Sequence, residues 1–262
     1  MLVLAACAAS LAGCAARIPP RPSGTPAPDA TAIDAFTTAT TACAGIRTLT
    51  GELRLSGRAG TERIRGTLLA GLAAPASVRF EAVAPFGQPF FLLAGRDNRA
   101  TLVLPRDGRV LADAAVPDVL ERLTGLNLSA SDLRLILTGC LTDDRQPTDG
   151  RRWPNGWQSV SLRPATAAVR LTAYLRPVNG APALVAADHG AWRVDYANHL
   201  NGFPRSVRLR SADSGEVDLT AAIAQLAINA GIDDRAFELT PPATAQPMTL
   251  DELRSVAPLR AR

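Results

Sequence analysis

The chain has 262 residues, 47% of them hydrophobic, and its formal net charge of +4 comes from arginine alone, since the sequence contains no lysine. That apolar share excludes a chain too polar to fold, and the length allows one domain with a sizeable core. The positive balance is not a nucleic-acid signature, because the arginines are scattered and many alternate with apolar residues, as Arg54 and Arg79 do.

Leu2 to Ala12 are apolar or small and carry no charge. The run is shorter than the roughly 20 residues of a membrane-spanning helix and reads as a secretory signal. It ends in Leu11-Ala12-Gly13-Cys14, which resembles the lipobox cut by the bacterial lipoprotein signal peptidase. That enzyme needs small residues before the cut and a thiol already carrying diacylglycerol. Residues 1–13 are therefore expected to be a lipoprotein signal peptide and Cys14 the acylated N-terminus. The other reading is an ordinary signal peptide with a chance cysteine. Residues 14–30, rich in Pro and Ala, are expected to form a stiff, extended tether. Ala15, where an Asp tends to hold a lipoprotein in the inner membrane, makes the outer membrane the expected location, with the body lipid-anchored and facing the periplasm.

Ile33, Phe36, Thr40 and Cys43 then recur at helical spacing, with Gly45 as a stop. From Gly51 the period becomes two: Leu53 and Leu55 alternate with Glu52 and Arg54, and Val78, Phe80 and Ala82 with Arg79 and Glu81. Leu102 and Leu104 read the same way, and Gly60, Pro75, Gly87, Asp97-Asn98 and Asp107-Gly108 supply turns. Two helices follow. One opens at Pro117, carries Val119, Leu120 and Leu123, and ends at Gly125; the other starts near Ser129 or Ser131, carries Leu133, Ile136 and Leu137, and ends at Gly139.

Alternation resumes with Val169, Leu171, Ala173 and Leu175, then Trp192, Val194 and Tyr196. It continues through Val207 and Leu209, Val217 and Leu219, and finally Phe237 and Leu239 before Pro241-Pro242. Thr249 to Leu259 fits one amphipathic helix, with Asp251 and Glu252 in its first turn. Short connections favour antiparallel meanders over parallel crossovers. The order predicts a β-rich α+β domain: one large, curved antiparallel sheet with helices packed on one face.

Of the cysteines, Cys7 leaves with the signal and Cys14 takes the lipid. Cys43 and Cys140 remain, in a compartment that permits a disulfide. The alternative is two small buried thiols that never meet.

The segment Ala84-Pro85-Phe86-Gly87, the stretch from Leu120 to Cys140 and the late Trp192-Arg193-Val194-Asp195-Tyr196 resemble the LolB family. These are outer-membrane lipoproteins that accept other lipoproteins from the soluble carrier LolA and insert them in the outer membrane. The likeness covers residues 31–220 or so. It implies a strongly curved sheet closed into a half-open β-barrel, with an apolar cavity covered by helices, over a domain of residues 31–240. Residues 241–262 form a C-terminal tail beyond it, and the ending Phe237-Glu238-Leu239-Thr240-Pro241 looks closer to the wider LolA-like carriers. The partners implied are acyl chains of lipoproteins or lipids, a LolA-like periplasmic carrier and the outer membrane. The resemblance makes Phe86, bracketed by Pro85 and Gly87, a projecting residue that enters the bilayer during delivery.

Such a protein transfers apolar surface and needs no covalent step. An exposed acyl chain costs about 0.8 kcal/mol per CH₂ in water, and the cavity that hides it must lack unpaired polar groups, which cost roughly 1–3 kcal/mol each when buried. The candidate lining is Leu53, Leu55, Val78, Phe80, Leu102, Trp192, Val194 and Leu209, with Leu120, Leu123, Leu133, Ile136 and Leu137 on the lid helices. A closed, filled core is the alternative for the same residues. Neither a catalytic residue nor a metal site is expected. His189 and His199, near Asp188 and Asp195, match no compact metal motif, and no Gly-x-Ser-x-Gly elbow or phosphate loop is present. No cofactor or nucleic acid is expected, and the protein is read as a monomer. The competing class is a general lipid-binding or structural envelope-assembly lipoprotein whose groove binds a protein partner.

Overall fold

Alternation of apolar and polar residues builds most of the molecule. The structure is a computed structural model and describes residues 20–84, 86–141, 145–164, 171–212, 214–256 and 258–259. The first half runs β1 (Ala27–Pro28), α1 (Thr31–Ala39), β2 (Thr48–Ala59), β3 (Glu62–Ala73), β4 (Ser77–Val83), β5 (Phe91–Arg96), β6 (Arg99–Leu104) and β7 (Arg109–Ala115). Helices α2 (Val116–Thr124) and α3 (Ala130–Thr138) follow. The second half runs β8 (Arg145–Arg152), β9 (Gln158–Pro164), β10 (Leu171–Val178), β11 (Ala181–His189), β12 (Trp192–Ala197), β13 (Ser206–Ser211), β14 (Val217–Ile228), β15 (Gln246–Pro247) and α4 (Leu250–Val256).

All fifteen strands form one sheet, in the order β1-β8-β9-β10-β11-β12-β13-β14-β2-β3-β4-β5-β6-β7-β15. Two antiparallel meanders are joined where β14 pairs with β2, Ala221 opposite Leu55 and Ile223 opposite Leu53. Among the described residues, β15 alone is parallel to its neighbour, β7. At the join Gly57 has φ +144°, and a Cβ there would stand 2.0 Å from the Asp218 carbonyl oxygen. A side chain is excluded, so the two backbones approach closely and the sheet can bend.

One face of the curved sheet carries the core. Val78, Leu93, Leu102, Val160, Leu171, Ala173, Leu175 and Val194 are fully buried there, and α1, through Ala32 and Phe36, joins the same cluster. The convex face has a smaller cluster in which Trp153 and Tyr174 pack around Trp157, Val185 and Ala186.

Two expectations are corrected. Residues 20–30, read as part of a stiff, extended tether, are seated on the body from Arg21 onward. Arg21 pairs with Asp188 at 3.1 Å and Asp195 at 3.2 Å, and Asp29 is buried, accepting from the Thr31 amide and hydroxyl, Arg152 and Gln158. The Phe237–Leu239 stretch is not a strand. Asp233 accepts from the Arg235 amide and opens a 3₁₀ turn over Asp234–Phe237, which buries Phe237. In the tail after residue 240, where one amphipathic helix is expected over Thr249 to Leu259, α4 rests on α2, and Leu253 and Leu259 are buried.

Candidate functional site

The helical insertion is held in place by local chemistry. Pro117 pre-sets the first turn of α2, and Gly125, in the left-handed region at φ +77°, ends it. Ser129 opens α3 with a capping box: its hydroxyl accepts from the Asp132 amide at 3.0 Å, and Asp132 accepts from the Ser129 amide at 3.2 Å. Asn98, in the β5–β6 turn, receives both helices. Its carbonyl accepts from the Val116 amide at 2.8 Å and its side chain from the Ala130 amide at 3.0 Å. A bond between Cys43 and Cys140, with Cα atoms 5.3 Å apart, links the chain after α1 to the end of α3.

Between these helices and the sheet lies an apolar hollow. Its floor is Leu53 and Leu55 of β2, Leu68 of β3, Phe80 of β4, Phe91 of β5, Val207 and Leu209 of β13, and Leu219 and Ala221 of β14. Its roof is Leu120, Leu123 and Thr124 of α2, Leu126 and Leu128 of the connection, and Leu133, Ile136 and Leu137 of α3; Leu259 of the tail closes one side. Among the described residues Thr124 is the one polar member of this lining, and it is satisfied: its hydroxyl donates to the Leu120 carbonyl at 2.8 Å and accepts from the Leu126 amide at 3.3 Å. The cavity volume is about 80 Å³, where one water needs roughly 10–15 Å³. It is a slot, smaller than a long acyl chain.

All five expected lid residues line this hollow, as do Leu53, Leu55, Phe80 and Leu209. Val78, Leu102 and Val194 instead lie in the filled core, and Trp192 is half-buried beside it. Their alternation places them on the correct face, but alternation does not say how far along the strand the roof stands off. Leu68, Phe91, Val207, Leu219 and Ala221 were missed as lining. Register would have found some of them, since Leu209 pairs with Leu219, and Leu53 with both Leu68 and Ile223. Leu259 carried no sequence signal beyond an apolar residue near the end of the chain.

The turn between β4 and β5 projects from the sheet, with Phe86 90% exposed and Gly87 at φ +75°. Pro85 and the acylation candidate Cys14 lie outside the described residues. Arg106, absent from the sequence-based site, grips this turn. It donates to the carbonyls of Phe86 at 3.1 Å and Gln88 at 2.9 Å, and stacks over the Phe90 ring at 4.4 Å.

The histidines do not converge. His189 stands 4.0 Å from Asp132 and 3.4 Å from Arg145, while His199 bonds the Leu184 carbonyl at 2.8 Å. Burial pushes both imidazoles below their ordinary range. Among the described residues, no three His, Cys, Asp or Glu side chains are grouped to hold a metal ion, and no helix is long and apolar enough to cross a membrane.

No family model and no curated protein matches the chain. Solved structures do. A LolA superfamily protein from Nitrosomonas europaea is 11% identical, with a TM-score of 0.51 over 81% of this chain and 98% of that one. A DUF1329 family protein from Desulfovibrio piger is 13% identical, TM-score 0.49, over 78% and 96%. A Vibrio parahaemolyticus domain named for outer membrane lipoprotein sorting is 11% identical, TM-score 0.48, over 78% and 95%. The first of these shows a shared fold: a large, open, curved, mostly antiparallel sheet.

Proposed function

We propose that this protein is a lipid-binding carrier of the bacterial envelope: an outer-membrane lipoprotein, acylated on Cys14, that accepts lipoproteins from a LolA-like periplasmic carrier and inserts them in the outer membrane. The observation that carries the reading is the hollow itself, roofed by two helices and lined by apolar side chains whose single polar member is internally satisfied. Such a lining costs a hydrocarbon chain nothing in unpaired polar groups and gains about 0.8 kcal/mol for each CH₂ withdrawn from water.

The fold shared with a LolA superfamily protein supports the same reading. Because the resting slot is narrow, loading requires α2, α3 and the tail to lift from the sheet. Release requires an apolar surface to receive the chain, and Phe86, large and fully projected, suits contact with a bilayer. No step forms a covalent bond.

The test is organic extraction of purified protein followed by mass spectrometry, together with titration by a fluorescent fatty acid. Acyl lipid should co-purify, and Leu209→Glu or Leu137→Glu should abolish probe binding while leaving the circular dichroism intact. A protein that carries no acyl chain and binds the probe no better than its Leu209→Glu variant is not a carrier. The small cavity volume favours one other reading, a structural envelope lipoprotein with a closed core, and that result would decide for it.

A further inference from the structure

The segment before α1 is fixed to the convex face by a charged clamp. Arg21 donates to Asp195 at 3.2 Å and to the carbonyls of Ala187 and Val194 at 3.0 Å, pairs with Asp188 at 3.1 Å, and lies over the Tyr174 ring at 5.0 Å. Asp195 is 2% exposed and also holds Arg210 at 2.6 Å.

Register locates the clamp at one end of the sheet. His189 pairs with Trp192, so the β11–β12 turn closes that end. Trp192 pairs with Ser211 and Val217 with Ala59, which brings the β13–β14 and β2–β3 turns to the same end. Thr67 pairs with Val83, so β4 runs toward the same end, its last residue level with a point five positions in from Glu62, and passes into the Phe86 turn; Leu92 opposite Val103 sets the Arg106–Asp107 turn beside it. From Arg21 the chain crosses the convex face to the opposite end, where Ala27 pairs with Arg152. The Arg21 clamp therefore lies at the Phe86 end.

We infer that this end, with the turns at Thr61, Phe86 and Asp107, is the surface that faces a lipid bilayer, and that the Arg21 clamp holds it there. The inference rests on the reading of Cys14 as the acylated residue. Seven residue steps separate Cys14 from Arg21, a reach of at most about 25 Å. The twelve residues of β2 span roughly 40 Å, so a leash pinned at Arg21 keeps the far end off the membrane. Without the clamp the next fixed point is Ala27, thirteen steps from Cys14 and at the far end. That leash reaches roughly 45 Å, and either end can then face the lipid. Arg21 is thus a positioning residue.

The experiment uses full-length protein purified from membranes and reconstituted in vesicles of phosphatidylethanolamine and phosphatidylglycerol with brominated acyl chains. An environment-sensitive dye is placed on single added cysteines, with the native disulfide kept oxidised. Dyes at residues 61 and 107 should be quenched, and dyes at 181 and 234 should not. Arg21→Ala should erase that contrast, and so should a Gly/Ser insertion of about ten residues after Pro20, which leaves the folded body untouched. Equal quenching at both ends of the parent protein, or contrast that survives the insertion, overturns the inference. An intact mass lacking acyl groups on Cys14 removes the anchor and the leash together. An acylated protein whose hollow binds no fatty acid, yet which shows the quenching contrast, would sink the carrier reading and leave this one standing.

Discussion

Breaking the Cys43–Cys140 bond tests how the roof of the hollow is held. The bond closes a loop across a separation of 97 residues. Chain entropy for a loop of that length gives about 4.7 kcal/mol, and removal of native disulfides from small secreted domains typically costs 2–5 kcal/mol. With a urea m-value of about 2–3 kcal/mol per M for a body of this size, the midpoint should fall by about 1.5–2.5 M. The perturbation is the double variant Cys43→Ala/Cys140→Ala, compared with parent protein before and after reduction. Cys140 is 1% exposed, so Ala avoids burying the hydroxyl that Ser would bring. Because α3 carries Leu133, Ile136 and Leu137 of the roof, fatty-acid exchange should also quicken in the variant. Equal midpoints for oxidised and reduced parent protein, or two free thiols titrated after unfolding without reductant, would refute the reasoning.

Phe86→Glu should weaken vesicle binding by the non-acylated protein about 10–150-fold, the equivalent of roughly 1.5–3 kcal/mol of lost burial, while Phe86→Leu keeps most of it; co-sedimentation measures both. Ser129→Ala removes the α3 capping box and should cost about 0.5–2 kcal/mol in urea unfolding. Leu253→Ala, at a fully buried position of α4, should cost about 2–5 kcal/mol and speed probe entry by loosening the tail; unchanged entry kinetics would contradict a tail that closes the hollow. Hydrogen bonds from Thr31, Gln158 and Arg152 hold the Asp29 carboxyl far below the ordinary carboxylate range. Its contribution is therefore full above about pH 4 and lost as pH falls through the lowered value, so Asp29→Asn should flatten the acid limb of the stability curve. His189 and His199, lowered by burial, add a loss that begins below about pH 6.5.

Local signals carried the reading of the fold. Alternation in Val78-Arg79-Phe80 and the Pro, Ser and Gly punctuation around residues 117–139 are effects of single strands and single helix ends, and both are legible one segment at a time. The union of the two meanders through β14 and β2 is not, because pairing across more than 150 residues leaves no mark on either strand alone. The same limit divided the cavity residues. Leu53 and Val78 have the same pattern, yet one borders open space and the other is packed, a difference set by where α2 and α3 come to rest. The clamp at Arg21 was hidden for a different reason: a lone arginine among prolines reads as solvated until the two aspartates that receive it are brought together from β11 and β12.

Both outermost strands of the sheet are two residues long, and each ends in proline: Ala27-Pro28 along β8 and Gln246-Pro247 along β7. A proline has no N–H to offer a further strand, and a two-residue strand gives a newcomer little to register against. A fifteen-stranded sheet would otherwise present two open borders, each a template for polymerisation with other copies. The proline-tipped strips occupy one stretch of each border, along Arg151 and Arg152 of β8 and Arg109 and Val110 of β7, for four residues of sequence. Where they lie, the obstacle to a further strand is backbone chemistry, which neither salt nor pH can screen.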